Sequence, residues 1–478
     1  MSVAKSVECS DKELQGGRSF RRYFAAIYYS LLIVALSCVR YMELPHGMSV
    51  HELQAALVVA FTLIAWAWGV LEEPIPTLIF FLLVVVFDVV SAKVVFSGFS
   101  STAWWLVFAG SVVGVAIKTT GVGTRIATLV FSGWATSYRQ YLYSITLLSV
   151  ALAFLMPSTM GRILLLTPIV IALAKEVGLA PGSKGHTGFI LAVAIASYLP
   201  PTAILPANLP NSVLMGAAES LYGIHLSYGS YLLTHFPVLG VVKAFLIVEV
   251  IARLFPEPRI CRQVVRKADM SLSVSERNLV AVLVVSVGLF VTDFIHGVSP
   301  AWVSLAAAVL CLWPAANIMS VKTFADNVHI VPLIYVAGFL GLGAVVAESG
   351  IGLKLGRFLL EAAQVSRDSP AVGVSVLTSI SALIGLITTL PSLPAVLTPL
   401  AKDFAEATGL SIYSVLMLQV PVYGLLIFPY QCPPIVVAMG LGGVSLKDGT
   451  KLCLMLTLIT AFILFPLDYF WLKYLGLV

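Results

Sequence analysis

Charge is what this chain has least of. Across 478 residues only 11% are Asp, Glu, Lys or Arg, against roughly 25% in an ordinary soluble domain, while 59% are hydrophobic. No soluble fold hides that much apolar surface. Runs such as Ala25–Cys38, Ala55–Val70, Thr77–Val90 and Leu279–Val291 suit helices crossing about 30 Å of hydrocarbon, and they lack the alternation of a membrane barrel. Cysteine is also scarce. The six present show no paired spacing, and Cys38, Cys311, Cys432 and Cys453 lie in apolar runs, where a thiol packs as a small hydrophobe. Neither a disulfide framework nor a transition-metal site is expected. His186, His225, His235 and His329 are scattered near loops, and His51-Glu52 has no second His four residues after the first, so a zinc-peptidase helix is excluded. Nothing else assembles a nucleophile with a base, and no enzyme or cofactor is expected. The first apolar run lacks a small-residue cleavage site and is expected to remain as a span. The net charge of +5 reflects basic loops rather than a nucleic-acid partner.

What the chain does have is internal repetition. Ser158 to Leu179 (STMGRILLLTPIVIALAKEVGL) aligns with Thr389 to Leu410 (TLPSLPAVLTPLAKDFAEATGL), sharing Leu-Thr-Pro, a later Ala and the closing Gly-Leu. Pro210 to Gly216 (PNSVLMG) aligns in the same order with Pro434 to Gly440 (PIVVAMG). Matched hydrophobic segments interrupted by Gly and Pro point to the binding site of a duplicated transporter. A third match sets Gly114, Gly121 and Gly123 against Gly343, Gly350 and Gly352, with Arg125 opposite Lys354. It carries less weight, because small residues serve helix packing in membranes generally.

The fold expected is an all-α polytopic membrane protein of about 11 spans. These lie near 24–40, 53–70, 75–92, 104–132, 188–216 and 231–255, then 278–295, 300–315, 329–360, 413–440 and 450–474. Residues 141–178 and 371–409 each hold two short apolar runs around a Pro-bearing tip and read as re-entrant hairpins, whose irregular backbone must be buried in protein or line a cavity. Lys5, Lys12, Arg18, Arg21 and Arg22 in the tail, and Arg259, Arg262, Arg266, Lys267 and Arg277 in the longest loop, place both on the cytoplasmic side. The resulting segments are a tail (1–23), a first span with its outer loop (24–52), a first repeat (53–255), a cytoplasmic linker (256–277) and a second repeat (278–478). Five spans in each repeat force opposite orientations. The repeat is therefore expected to be inverted, with its two broken helices and two tips meeting at the midplane.

At the first tip Ser158 and Thr159 either cap a helix or hold an anion at its start. Arg162, four residues past Ser158, either pairs with a substrate carboxylate or stands in for a cation, unless it is satisfied internally. The second tip offers Thr388, Thr389 and Ser392, but Pro391 cannot donate a backbone hydrogen bond, so the tips are not equivalent. Prolines around Asn208 and Asn211, and around Tyr430, Gln431 and Cys432, unwind each helix and free carbonyls for a cation and amides for a substrate. The alternative is a proline kink satisfied by neighbouring helices. Asp88, Lys118, Glu249, Asp293 and Glu348 are expected at interfaces or in ion pairs.

With Glu72-Glu73-Pro74-Ile75-Pro76 similar to a span-opening TEAxP motif, and with Asp448 near the end, the arrangement resembles the divalent anion:sodium symporter (DASS) family of the ion transporter superfamily over most of the chain. Its members carry Ser-Asn-Thr at each tip, where hydroxyls and amides bind a carboxylate or sulfate and help form sodium sites. Here Ser158-Thr159-Met160 and Thr389-Leu390-Pro391 keep hydroxyls and lack the Asn, while Arg162 matches an Arg of the citrate and dicarboxylate branch. The resemblance implies Ser158, Thr159, Arg162, Asn208, Asn211, Thr388, Thr389, Ser392 and Gln431 as substrate residues. It implies Ser158, Thr159, Ala207, Thr389, Gln431 and Cys432 around a cation. It further implies an elevator mechanism and a homodimer in the plasma or bacterial inner membrane. The expected function is secondary transport of small organic dianions, dicarboxylate or citrate-like, coupled to Na+ or H+. Sulfate or sulfonate transport, anion exchange, and an ion-only antiporter or channel stay open.

Overall fold

A chain this apolar must satisfy its backbone groups within each segment, and helices do so. The structure, a computed structural model, describes residues 25–41, 48–68, 71, 74–133, 135–257, 260, 272–362, 370–387 and 389–478. Among them there is no strand. The basic tail, most of the linker with Arg259, Arg262, Arg266 and Lys267, the Glu72-Glu73 pair and Thr388 lie outside the described residues.

The chain opens with α1 (Ala25–Cys38), α2 (Val50–Trp68), α3 (Pro74–Val86), the single turn α4 (Ala92–Val95) and α5 (Thr102–Thr120). Next come α6 (Val122–Gly133) and a hairpin of α7 (Tyr138–Leu155) and α8 (Thr159–Glu176). Then α9 (Lys184–Ala196) and α10 (Leu209–Tyr222) flank an irregular stretch, residues 197–208. The first half closes with α11 (Tyr228–His235), which widens through a π-helical stretch (Phe236–Val242) into α12 (Lys243–Leu254). The second half runs α13 (Val274–Val291), α14 (Asp293–His296), α15 (Pro300–Leu312), α16 (Val321–Asn327), α17 (Val331–Glu348) and α18 (Ile351–Ala362). Its hairpin is α19 (Pro370–Ile387) with α20 (Ser392–Leu397), which continues into α21 (Ala401–Thr408). After it come α22 (Ile412–Gln419), irregular residues 425–432 and α23 (Pro433–Leu441). Last, α24 (Leu446–Ile459) passes through a π-helical stretch (Thr460–Leu464) into α25 (Phe465–Tyr474).

Two of the expected spans, 104–132 and 329–360, are not single helices. Each breaks at a glycine, Gly121 with φ 85° and Gly350 with φ 80°, a left-handed conformation that ends a helix and that only Gly adopts without strain. Beyond each break lies a helix that is apolar on one side and polar on the other, α6 or α18. The glycine match given least weight in the sequence thus marks the same event in both halves. A further match escapes the sequence reading because it is only four residues long. Ser49-Val50-His51-Glu52 and Ser273-Val274-Ser275-Glu276 each start a helix, with Glu52 N–H donating to Ser49 Oγ and Glu276 N–H to Ser273 Oγ, both at 3.2 Å. The glutamates then pair across the halves: Arg125 of α6 with Glu276 at 3.0 Å, and Lys354 of α18 with Glu52 at 2.8 Å.

Apolar side chains such as Leu82, Val86, Leu147, Phe245, Val284, Phe462 and Phe470 are exposed, as a lipid-facing surface requires. Cys38, expected to be buried, is exposed on that surface, while Cys311, Cys432 and Cys453 are buried. The broken segments sit inside. Residues 185–208 are buried without interruption, so the irregular backbone lies where protein, not lipid, meets its carbonyls. The halves interlock there, because α10 packs on α20 and α23 packs on α8 and α9.

Candidate functional site

The first tip is built from chain chemistry outward. Pro157 cannot extend α7, and Ser158, in extended conformation, caps α8 by accepting the Gly161 N–H at 3.1 Å. That leaves the hydroxyl of Thr159 and the opening turn of α8 at the break. One turn on, Arg162 is fully buried. Its guanidinium donates to Met156 O at the tip, to Thr159 Oγ1 (3.2 Å), and to two carbonyls of the broken segment, Ser197 O (2.7 Å) and Ala207 O (3.0 Å). Asn208 caps α10 by accepting the Asn211 N–H (3.1 Å), and Asn211 Nδ2 donates to Thr202 O (3.0 Å) and Ile204 O (2.9 Å). The hydroxyl of Tyr231 adds a bond to Thr202 O at 2.9 Å. Four carbonyls of the irregular segment are thereby satisfied by three side chains.

The second tip solves the same problem with different residues. Thr389 O accepts both the Ser392 N–H (3.0 Å) and the Ser392 hydroxyl (2.6 Å), and the Thr389 hydroxyl meets Tyr335 OH at 3.3 Å. Leu390 N–H reaches across to Gln431 O at 3.1 Å. The Gln431 side chain accepts the Ile427 and Phe428 N–H groups at 2.8 Å each and donates to Gly385 O of α19. Gln431 therefore ties the second break to the second hairpin, as Arg162 ties the first.

Both tips and both breaks converge on one cavity of about 220 Å³, many times the roughly 10–15 Å³ that one water needs. Its wall takes in Pro157–Met160, Leu209 and Pro210, Thr389 and Pro391, and Cys432–Pro434, with Val107 and Ser111 of α5 and Pro332 and Tyr335 of α17. Of the residues singled out from sequence, Ser158, Thr159, Thr389 and Cys432 line it. Arg162, Ala207, Asn208, Asn211, Ser392 and Gln431 are buried behind the wall, with the internal bonds just described. The cavity also has walls that the sequence did not suggest. Tyr198, Tyr335 and Ser111 are single polar residues in apolar helices or beside a proline pair, with no spacing to set them apart. Tyr198 OH and Asn208 Nδ2 are buried without a hydrogen-bond partner. Among the described lining residues none is charged.

Two of the other charges expected in the membrane, Glu249 and Asp293, have structural partners. Glu249 holds Arg139 at 2.8 Å, Arg253 at 3.4 Å and Tyr143 OH at 2.9 Å, and Asp293 accepts from Ser227 Oγ and Tyr228 N at the start of α11. Among the described residues no group of three or more His, Cys, Asp or Glu is placed to hold a metal ion.

Known proteins share this architecture. The profile of the sodium:sulfate symporter transmembrane region matches residues 24–478. A relative in Cupriavidus necator, named only as a membrane protein, is 24% identical over 297 residues, which is 61% of this chain and 58% of that protein. The chain thus matches less than two thirds of that relative's length. The inner membrane protein YbhI of Escherichia coli K12 is 22% identical over 352 residues, 68% of this chain and 71% of its own. Among solved structures, the YdaH transporter of Alcanivorax borkumensis superposes with a TM-score of 0.55 at 13% identity, covering 90% of this chain and 98% of that one. MtrF of Neisseria gonorrhoeae, described as illuminating a class of antimetabolite efflux pumps, gives 0.50 at 13%, covering 91% and 96%. At that identity the two structures speak to the fold alone.

Proposed function

This chain belongs to the sodium:sulfate symporter family, so it is a secondary transporter and not an enzyme, and we propose that its cargo is a small organic dianion of the dicarboxylate or citrate type. One observation carries this. The starts of α8, α10 and α23 all face a single uncharged, hydroxyl-lined cavity, with the buried Arg162 guanidinium one hydroxyl behind its wall. A helix start carries about half a positive charge, and at α8 it also offers first-turn N–H groups, whereas α23 opens on Pro433-Pro434 and contributes its dipole without free donors; together they make the cavity favour an anion. Arg162 adds a full charge, and its hydrogen-bond partners among the described residues are all neutral oxygens. A buried cation without a counter-charge is costly, and an incoming carboxylate supplies one. The unpartnered Tyr198 hydroxyl on the cavity wall is a donor available to the same anion.

The rest of the reading rests on the repeats. The two halves run in opposite directions across the membrane, with hairpins that re-enter from opposite faces and the tail on the cytoplasmic side. Reciprocal pairing of Arg125 with Glu276 and Lys354 with Glu52 supports that two-fold relation. The interlocked hairpins and broken helices form a body that moves as an elevator past a scaffold built on the packed α5, α13 and α15. The scaffold dimerises, and the protein resides in a bacterial inner membrane. The decisive experiment is uptake of labelled succinate, malate, citrate or sulfate by purified protein in vesicles. Saturable uptake of a dicarboxylate or of citrate supports the reading; failure of all four in every ion gradient refutes it.

A further inference from the structure

Carrying a charged cargo through a membrane needs a compensating charge, and in transporters built on broken helices the place for a coupling cation is among carbonyls freed where the helices unwind. In the first half those carbonyls are already taken. Met156 O from the tip, and Ser197 O and Ala207 O from the broken segment, converge with Thr159 Oγ1 on one group, the Arg162 guanidinium. An oxygen cluster drawn from a hairpin tip and an unwound helix is the donor set a hard monovalent cation would use. Here its centre is filled by N–H donors on a side chain that is always protonated. A free cation entering the same cluster would lose these oxygens and meet a like charge in a desolvated site.

The second half is closed in another way. At the position that aligns with Ala207, Gln431 turns its amide N–H toward Gly385 O of the hairpin, its carbonyl O accepts the Leu390 N–H, and its side-chain oxygen accepts from Ile427 and Phe428. The residue aligned with Arg162 is Leu393, which has no donor to offer. So in each half one donor side chain bridges hairpin and break, charged in the first and neutral in the second.

We infer that Arg162 permanently occupies the place of a coupling sodium ion, so that the protein binds its anion without sodium. This rests on the anion-transport reading for its physiological meaning, and the occupancy of the oxygen cluster is testable without it. A site whose cation cannot leave stays positively charged when empty, and an unpaired buried charge crosses a bilayer poorly. The return step therefore needs an anion, which makes exchange of one anion for another the expected mode.

The test has two arms on the full-length detergent-purified protein. In the first, thermal melting is compared in sodium, potassium and choline chloride at equal ionic strength without any anionic substrate. The wild type should melt at the same temperature in all three, whereas Arg162→Ser, which frees the oxygens, should melt at least about 2 °C higher in sodium. A sodium-specific rise in the wild type overturns the inference, and so does a folded Arg162→Ser variant with no sodium effect. Should that variant fail to fold, the wild-type comparison still decides, and Arg162→Lys, which keeps a fixed cation, should remain blind to sodium. In the second arm, vesicles preloaded with dianion should take up labelled dianion equally in sodium and choline, and empty vesicles should not. Sodium-driven uptake into empty vesicles overturns the inference. Absence of all uptake refutes the cargo instead, and the melting arm then still rules on the sodium site.

Discussion

Substituting Ser158 by Asp and by Ala separates the two things a tip hydroxyl can do. In the structure Ser158 caps α8 through the Gly161 N–H at 3.1 Å and lines the cavity. Asp caps as well as Ser, and its charge is favoured at a helix start by about 0.3–1 kcal/mol, so Ser158→Asp should fold with unchanged or slightly raised stability. Ala cannot cap, and Ser158→Ala should lose about 1 kcal/mol, a fall in Tm of roughly 1–3 °C for a protein of this size. Transport should order the variants differently. An Asp carboxylate about 4 Å from the cargo repels each of its unit charges by ~4 kcal/mol at an effective dielectric of about 20, a loss of roughly a thousandfold in affinity per charge. Ser158→Ala removes one wall hydroxyl and should weaken binding by about tenfold, the equivalent of one neutral hydrogen bond. The assay is anion affinity from ligand-induced melting shifts, paired with vesicle uptake. An Asp variant that binds and transports the dianion like wild type would refute the placement of the anion at the first tip, whatever its stability.

Other consequences follow from the same geometry. Gln431→Ala leaves Gly385 O and the Ile427 and Phe428 N–H groups without their partner; at about 1–3 kcal/mol for each group left truly unsatisfied, the variant should melt well below wild type, which differential scanning fluorimetry reads. Asn211→Asp turns a donor to Thr202 O and Ile204 O into a third acceptor. It should destabilise more than Asn211→Ala, because like dipoles then face each other in a dry site; equal melting of the two variants would contradict the bond assignment. Gly121→Ala and Gly350→Ala force Ala into φ of 85° and 80° and should each cost about 1 kcal/mol, and no clash adds to it at Gly121, where a Cβ meets nothing within 4 Å. Glu276→Gln and Glu52→Gln each break one cross-half ion pair. Such partly exposed pairs contribute only about 0.2–1 kcal/mol, so both variants should fold, and high salt should narrow their difference from wild type.

The helical, apolar character of the segments, the two hairpins and the two breaks were legible because each leaves a mark along the chain. Spans need long runs without charge, tips need proline and hydroxyls, and breaks need clustered prolines, as at Leu205 to Asn211 and Pro429 to Pro434. Gly121 and Gly350 show where that legibility ends. A glycine inside an apolar run reads as a packing residue, and whether it continues or ends the helix depends on a backbone angle that its neighbours impose.

For the site, the sequence was enough to nominate the tips and the breaks, since those positions must carry unpaired backbone groups wherever they come to rest. It could not say which side chains face the cavity and which satisfy the backbone behind it. Asn208, Asn211, Ser392 and Gln431 have the chemistry of ligands, yet Asn208 and Ser392 are engaged three residues away by the Asn211 N–H and Thr389 O, Asn211 by the carbonyls of the irregular stretch before it, and Gln431 by Gly385 O of the hairpin. Arg162 has the chemistry of an anion partner, yet Ser197 O and Ala207 O, 35 and 45 residues further along the chain, claim its protons. Those assignments depend on which carbonyls the folded chain leaves unpaired next to which donors. That is a property of three-dimensional packing, and no spacing along the chain encodes it.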